Sequence, residues 1–165
     1  MRLVRPDLAL LDAAVEGDDV LAAALGVPVA AGWVSFGDAL SYTRDRVAAS
    51  PGDPRWSTCF FVATGPEELV GWGGYKGPPD AGGTVEIGYE IAPARQGRGL
   101  ATAAARAMVA DAFADPAVRR VIAHTLPEPN ASNHILEKLG FRFDGDVLER
   151  GTPVWRWALA RPAGA

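Results

Sequence analysis

The stretch that most restricts what this chain can fold into is residues 84–109, TVEIGYEIAPARQGRGLATAAARAMV. It opens with strict alternation: Val85, Ile87, Tyr89 and Ile91 point one way, and Thr84, Glu86, Gly88 and Glu90 the other. That is the pattern of a half-buried strand. Pro93 stops it, because proline has no N–H to give to a ladder. Arg95-Gln96-Gly97-Arg98-Gly99 follows, then an Ala-rich run with Leu100, Ala104, Ala107 and Met108 at helical spacing. Strand, Gly-rich turn and helix together aim free backbone N–H groups and the positive end of a helix at one point, which suits a phosphate. Arginines add fork-shaped donors. A tight turn with solvent-facing arginines satisfies the same residues, and local chemistry leaves both open.

The spacing excludes the two common nucleotide loops. A P-loop needs Lys-Ser/Thr after its glycines, and Leu100-Ala101 stands there. A dinucleotide fingerprint needs a third glycine and an acidic residue closing the next strand, and the strand expected over 118–126 ends without a carboxylate.

The rest of the chain reads as short alternating elements. Helix is expected over 8–25, bent or split at Glu16-Gly17-Asp18-Asp19, and again over 39–49, closed by Ser50-Pro51-Gly52. Strands over 55–63, 69–75 and 84–91, joined by short breaker-rich turns, predict an antiparallel meander. Gly71, Gly73 and Gly74 weaken the middle one, which leaves a bulge, a close approach by a ligand, or plain irregularity. The Ala-rich helix ends at Asp115-Pro116, and the strand after it implies a right-handed parallel crossover. Asn130, Ser132 and Asn133 precede a helix that stops at Gly140. Two further strands, 141–148 and 153–159, follow, and a first strand over 1–5 is open. The pattern is an α/β sandwich around one mixed sheet.

At 165 residues, with 48% apolar and 22% charged side chains, the chain reads as one globular domain over 1–161 with a loose tail at 162–165. A net charge of -4 with no basic block argues against a nucleic-acid partner. Arg95, Arg98 and Arg106 form a local basic patch that suits a small anion. Cys59, in the apolar run Cys59-Phe60-Phe61-Val62, reads as a core residue without a disulfide partner, and one cysteine with two histidines makes a zinc site improbable. The charged start of the chain and the lack of a long apolar run predict neither signal peptide nor membrane span, with cytoplasmic location as the default.

Gln96-Gly97-Arg98-Gly99-Leu100-Ala101 resembles the Q/R-x-x-G-x-G/A pyrophosphate motif of the GNAT superfamily of acyl-CoA-dependent N-acetyltransferases. Pro127-Glu128-Pro129-Asn130-Ala131-Ser132-Asn133 and Leu136-Glu137-Lys138-Leu139-Gly140-Phe141 are similar to the second half of that fold, above all to its ribosomal-protein (RimJ/RimL-like) branch. The resemblance is strongest over residues 84–157. It implies a three-layer α/β sandwich, its mixed, mostly antiparallel sheet carrying a splayed parallel pair (84–91 and 118–126) at the cofactor cleft. Acetyl-CoA would be the acyl donor. Gln96, Gly97, Arg98, Gly99, Leu100 and Ala101 would hold its pyrophosphate, with the Thr102 hydroxyl joining them. Backbone at Glu90, Ile91 and Ala92 would meet the pantetheine amides. Asn130 would contact the pantetheine arm, with capping of the next helix as its competing role.

The implied activity is direct acetyl transfer, in a ternary complex, to a primary amine on a protein N-terminus or a small molecule. Glu86 is then the first choice of general base, with Glu90 second and more naturally structural. Many family members carry a tyrosine acid where this chain has Leu136, so the acid falls to Ser132 or a water. That departure leaves a non-catalytic acyl-CoA-binding module as the alternative. His124 and His134 are candidate bases by residue type but are more simply read as polar bystanders. Trp33 and Phe36 are candidates for the acceptor wall, as are Trp56 and Trp72, and the loop over 76–83 for its gate. Trp33 and Phe36 are more simply read as aromatics capping the core between two helices, and core is open for Trp56 and Trp72 as well. A homodimer through the late strands is open.

Overall fold

The computed structural model describes residues 1–35, 37–49 and 52–162. Strand β1 (Arg2–Val4) leads into α1 (Leu8–Glu16) and α2 (Asp18–Leu25). Asp7 caps α1, accepting from the Leu10 N–H at 2.9 Å. The two helices are separate because Gly17, at φ 150, interrupts them. Helix α3 (Gly37–Ala49) precedes the meander β2 (Thr58–Thr64), β3 (Glu67–Tyr75) and β4 (Thr84–Ile91). Helix α4 (Leu100–Phe113) crosses to β5 (Arg120–Thr125), and α5 (Ala131–Lys138) leads to the hairpin β6 (Arg142–Glu149) and β7 (Thr152–Ala160). Phe36, Ser50 and Pro51, named in the sequence reading, lie outside the described residues, as does the tail beyond Pro162.

The sheet has the order β1-β2-β3-β4-β5-β7-β6, antiparallel throughout except for β4 against β5. One core lies on the α4 side, built on Val85, Ile87, Ala104, Met108, Val121 and Leu136. The other lies on the α1–α3 side, around Leu11, Leu21, Trp33, Phe60 and Leu69. The result is the expected three-layer sandwich. A polar cross-link holds α4 to the sheet: Tyr75 Oη donates to Met108 O (2.7 Å) and to Asp111 Oδ2 (2.9 Å), and Arg5 pairs with the same carboxylate at 2.6 Å.

The glycines of β3 are there for the strand beside them. A Cβ at Gly71 would lie 2.2 Å from the Glu90 carbonyl oxygen, and one at Gly73 2.2 Å from that of Gly88. At these two the close approach is by β4 backbone, and at Gly74, with φ 139, it is by the Ser57 carbonyl oxygen, 2.3 Å from a built Cβ.

Candidate active site

Parallel pairing of β4 with β5 runs from Thr84↔Arg120 to Ile87↔Ala123 and ends there, although β4 continues to Ile91. Which groups are left over follows from the alternation of the ladder. On the β3 side, Lys76 N–H donates to Glu86 O and Ala92 N–H to Val70 O, so the even-numbered residues of β4 direct their backbone at β3. Tyr89 and Ile91 direct theirs at the gap where β5 has parted. The expectation that Glu90 and Ala92 supply this backbone is therefore corrected. Glu90 sits opposite Trp72 in the β3 ladder. Ala92 is fully buried, with its N–H on Val70 and its carbonyl accepting from Arg95.

The gap opens into a cavity of about 590 Å³ lined on one side by Tyr89, Glu90 and Ile91, at its head by Gln96, Gly97 and Gly99 to Thr102, and on the far side by Ser132 and Ile135. Of the residues named from sequence, Glu90, Ile91, Gln96, Gly97, Gly99, Leu100, Ala101, Thr102, Ser132 and His134 come together here. Gly97 and Gly99 hold φ of 73 and 75, left-handed values that glycine takes without a Cβ penalty. Gly99 ends the turn as the N-cap of α4 and makes no side-chain cap, so the first N–H groups of the helix face the cavity head unfilled. Gln96 braces the turn by donating from Nε2 to Ile91 O at 3.0 Å.

Three expected contributors stand apart. Arg98 is exposed and outside the lining. Arg95 forks onto Glu68 at 2.6 and 2.7 Å, and that pairing holds the Glu68 carboxyl below the usual range. Asn130 is the N-cap of α5, accepting from Asn133 N–H at 3.1 Å and donating to Glu128 O at 2.9 Å, so both ends of its amide are in use.

On the opposite face of the sheet a second hollow, about 550 Å³, is lined by Thr43 of α3, by Trp72, Gly73, Gly74, Tyr75 and Lys76 of β3 and its end, and by Gly88, Tyr89 and Glu90 of β4. Tyr89 and Glu90 border both cavities. Glu90 is fixed there: its Oε1 accepts from the Ser35 N–H at 3.0 Å and from the Trp72 indole N–H. The structural role expected for Glu90 thus rests on partners from a loop and a neighbouring strand, distant in sequence.

Glu86 lies beyond Gly88 on the same face and lines neither cavity. Its Oε1 is 2.5 Å from Lys76 Nζ and 2.9 Å from His124 Nδ1, and Lys76 also pairs with Glu149. Glu86, His124 and Glu149 bring ligand atoms within 4.8 Å of one another, a metal-like spacing, and the Lys76 ammonium is paired with both carboxylates there. His134 is exposed beside Glu137. Of the tryptophans, only Trp72 borders the second hollow. Trp33 is core, edge-on to Phe60 at 5.0 Å with its indole N–H on Asp18, and Trp56 packs edge-on to Tyr75 at 5.1 Å. Cys59 is fully buried, and burial pushes its thiol up to about 11. Leu136 is buried in the α4-side core. Among the described residues no helix is long and apolar enough to cross a membrane.

Comparison with known proteins agrees with this geometry. The family model described as acetyltransferase (GNAT) domain matches residues 10–142. An uncharacterised N-acetyltransferase of Bacillus subtilis strain 168, YjdG, is 30% identical over 143 residues, covering 86% of this chain and 85% of that protein. Among solved structures, a mutant of spermidine N-acetyltransferase SpeG from Vibrio cholerae superposes with a TM-score of 0.68 at 17% identity, over 97% of this chain and 95% of its own. Mycobacterium smegmatis RimJ in complex with CoA-disulfide gives 0.58 at 24% identity, over 74% and 59%. At these identities the solved structures speak to the fold alone.

Proposed function

We propose, on the premise that this chain belongs to the GNAT acetyltransferase family, enzymes of acetyl-CoA-dependent acetyl transfer, that it acetylates a primary amine by direct transfer between two substrates bound on opposite faces of one sheet. The observation that carries this reading is the meeting of two cavities at Tyr89 and Glu90, just where β4 and β5 part. Substrates entering from either face meet there without a covalent enzyme intermediate, and approximation supplies much of the rate.

The chain's groups fit the donor. Gln96, Gly97, Gly99, Leu100, Ala101 and Thr102 would hold its pyrophosphate at the start of α4, where N–H groups and helix dipole converge. The Tyr89 and Ile91 backbone would pair with its amide arm, and the Ile91 N–H would polarise the carbonyl. The donor supplies an activated thioester, and the chain supplies orientation and charge. Of the two carboxylates on the acceptor face, Glu90 is the one we assign to meet the incoming ammonium, since its Oε1 alone is engaged by Ser35 and Trp72. Glu86 is the base if a water relays the proton past Lys76. Ser132, on the cleft wall, would protonate the leaving sulfur.

The sequence motif over 130–141 supports the RimJ/RimL-like branch, with a peptide N-terminus or a small primary amine as acceptor. We read residues 1–161 as one catalytic domain. The exposed Phe143 and Leu148 on the outer strand β6 support self-association through that edge. The test is free-thiol release from acetyl-CoA against pools of small amines and short peptides, run on wild type, Glu86→Gln and Glu90→Gln, with donor affinity by calorimetry. Amine-dependent release that falls in one variant while donor affinity holds identifies the carboxylate. A folded protein that does not bind acetyl-CoA refutes the reading.

A further inference from the structure

Buried polar atoms are nearly always paired, and a native exception asks for a reason. Tyr89 is such an exception: its ring lines the donor cleft, yet its hydroxyl oxygen is buried and has no hydrogen-bond partner among the described residues. Burial pushes this phenol up to about 12, and the Ser132 side chain, the polar group beside it, pulls the other way. Tyr89 therefore keeps its proton through the working range of pH. Ser132, which lines the same cleft, is the acceptor at hand for that proton. A serine hydroxyl carries one proton and two lone pairs. Once a lone pair of Ser132 accepts from Tyr89, the Ser132 proton is directed away from the ring, toward the cleft that Ser132 also lines.

We propose that Tyr89 is a positioning residue for proton delivery: its O–H donates to Ser132 Oγ, which turns the Ser132 proton toward the sulfur that leaves the acetyl group. The inference rests on the acetyl-transfer reading above. In the step, the amine lone pair forms the C–N bond and the C–S bonding pair passes to sulfur. Ser132 gives its proton to that sulfur while its oxygen goes on accepting from the Tyr89 O–H. The proton lost from the new amide nitrogen returns to Ser132 through water in the cleft. Amine plus thioester becomes amide plus thiol, with enzyme groups restored.

Tyr89→Phe keeps the ring and removes only the hydroxyl. Its turnover is to be measured with acetyl-CoA and with the acetyl thioester of an aryl thiol, whose thiolate leaves without a proton. Thermal midpoint and CoA affinity are measured on the same protein. With acetyl-CoA, kcat is expected to fall about tenfold, the scale of one well-placed hydrogen bond, with both KM values and CoA affinity within about twofold. With the aryl thioester, variant and wild type should match. The midpoint should hold, because the variant keeps the ring and its packing. Ser132→Ala and the double variant should be equally slow, since the two groups act in series. An equal loss with both donors, or a loss of activity that tracks a lowered midpoint, makes Tyr89 a packing residue and overturns the proposal. So does a double variant slower by the product of the single effects. Wild-type protein that transfers acetyl to no amine refutes the parent reading. Transfer that Tyr89→Phe leaves unchanged refutes this inference alone.

Discussion

Gly88 offers a test in which stability and activity should move in opposite directions. It occupies the middle of β4, where glycine usually weakens a strand, and it faces the second hollow between Glu86 and Glu90. Nothing in the protein requires glycine there: it is not among the residues with positive φ, and a Cβ built on it meets no atom within 4 Å. Gly88→Ala should therefore stabilise the fold by about 0.5–1 kcal/mol through the unfolded chain, raising the thermal midpoint by roughly 1–4 °C. Gly88→Leu adds a side chain that can only project into the hollow of about 550 Å³. If that hollow is the acceptor site, crowding it should cost about 2 kcal/mol of acceptor binding, roughly 30-fold in kcat/KM for the amine. Acetyl-CoA affinity should stay within about twofold, because the donor cleft lies on the other face. The assays are thermal unfolding, calorimetry with acetyl-CoA, and amine-dependent thiol release. A Leu variant with wild-type kcat/KM for every accepted amine would refute the acceptor assignment. A destabilised Ala variant would refute the claim that the backbone tolerates a side chain.

Glu90→Gln should lower amine kcat/KM at least tenfold with little change in donor affinity, because only the charge facing the ammonium is lost; steady-state kinetics and calorimetry separate the two. Gln96→Ala removes the brace on Ile91 and should weaken acetyl-CoA binding about tenfold, whereas Arg95→Gln, which touches only Glu68, should leave it within about twofold. Cys59 should resist alkylation at pH 8 by roughly 100-fold relative to unfolded chain, as its thiolate is suppressed from an ordinary 9.0 to about 11. The same shift makes the folded state hold a proton that the unfolded state has lost between pH 9.0 and about 11. Stability must then fall with rising pH in that window, by at most about 1.4 kcal/mol per pH unit from this group, and Cys59→Ala should flatten the slope in alkaline urea titrations.

What sequence could and could not disclose follows the range of the interactions involved. The β4 alternation, the Gly97–Gly99 turn and the Ala-rich helix are local patterns, and they stand in the structure close to where periodicity put them. The break at Gly17 and the cap at Asn130 are equally local. The commitments of single side chains are not. Arg95 faces Glu68, Glu90 is held by Ser35 and Trp72, and Glu86 by Lys76 and His124. Each pairing is created by the topology. Tyr89 was read as an apolar member of the inward face, which its ring is. The signal available in sequence was only that a phenol stands in a row of Val and Ile, and its hydroxyl needs a partner somewhere.

The order of strands also governs how the polypeptide acquires its shape as it is made. Strand β5 ends up between β4 and β7, and β7 is synthesised after both β5 and β6. Until β7 arrives, β5 has one bare edge and only the short parallel pairing of Thr84–Ile87 with Arg120–Ala123 to hold it. Arg161, just beyond β7, then donates to Phe113 O and Val118 O at 2.8 Å each, fastening the end of α4 and the start of β5 from outside. The first cavity depends on how α4 and β5 are set, so it is completed by residues that contribute nothing to its lining. A nascent chain lacking 152–161 should expose a sticky edge and bind no donor, which makes this hairpin the step that a folding helper would have to protect.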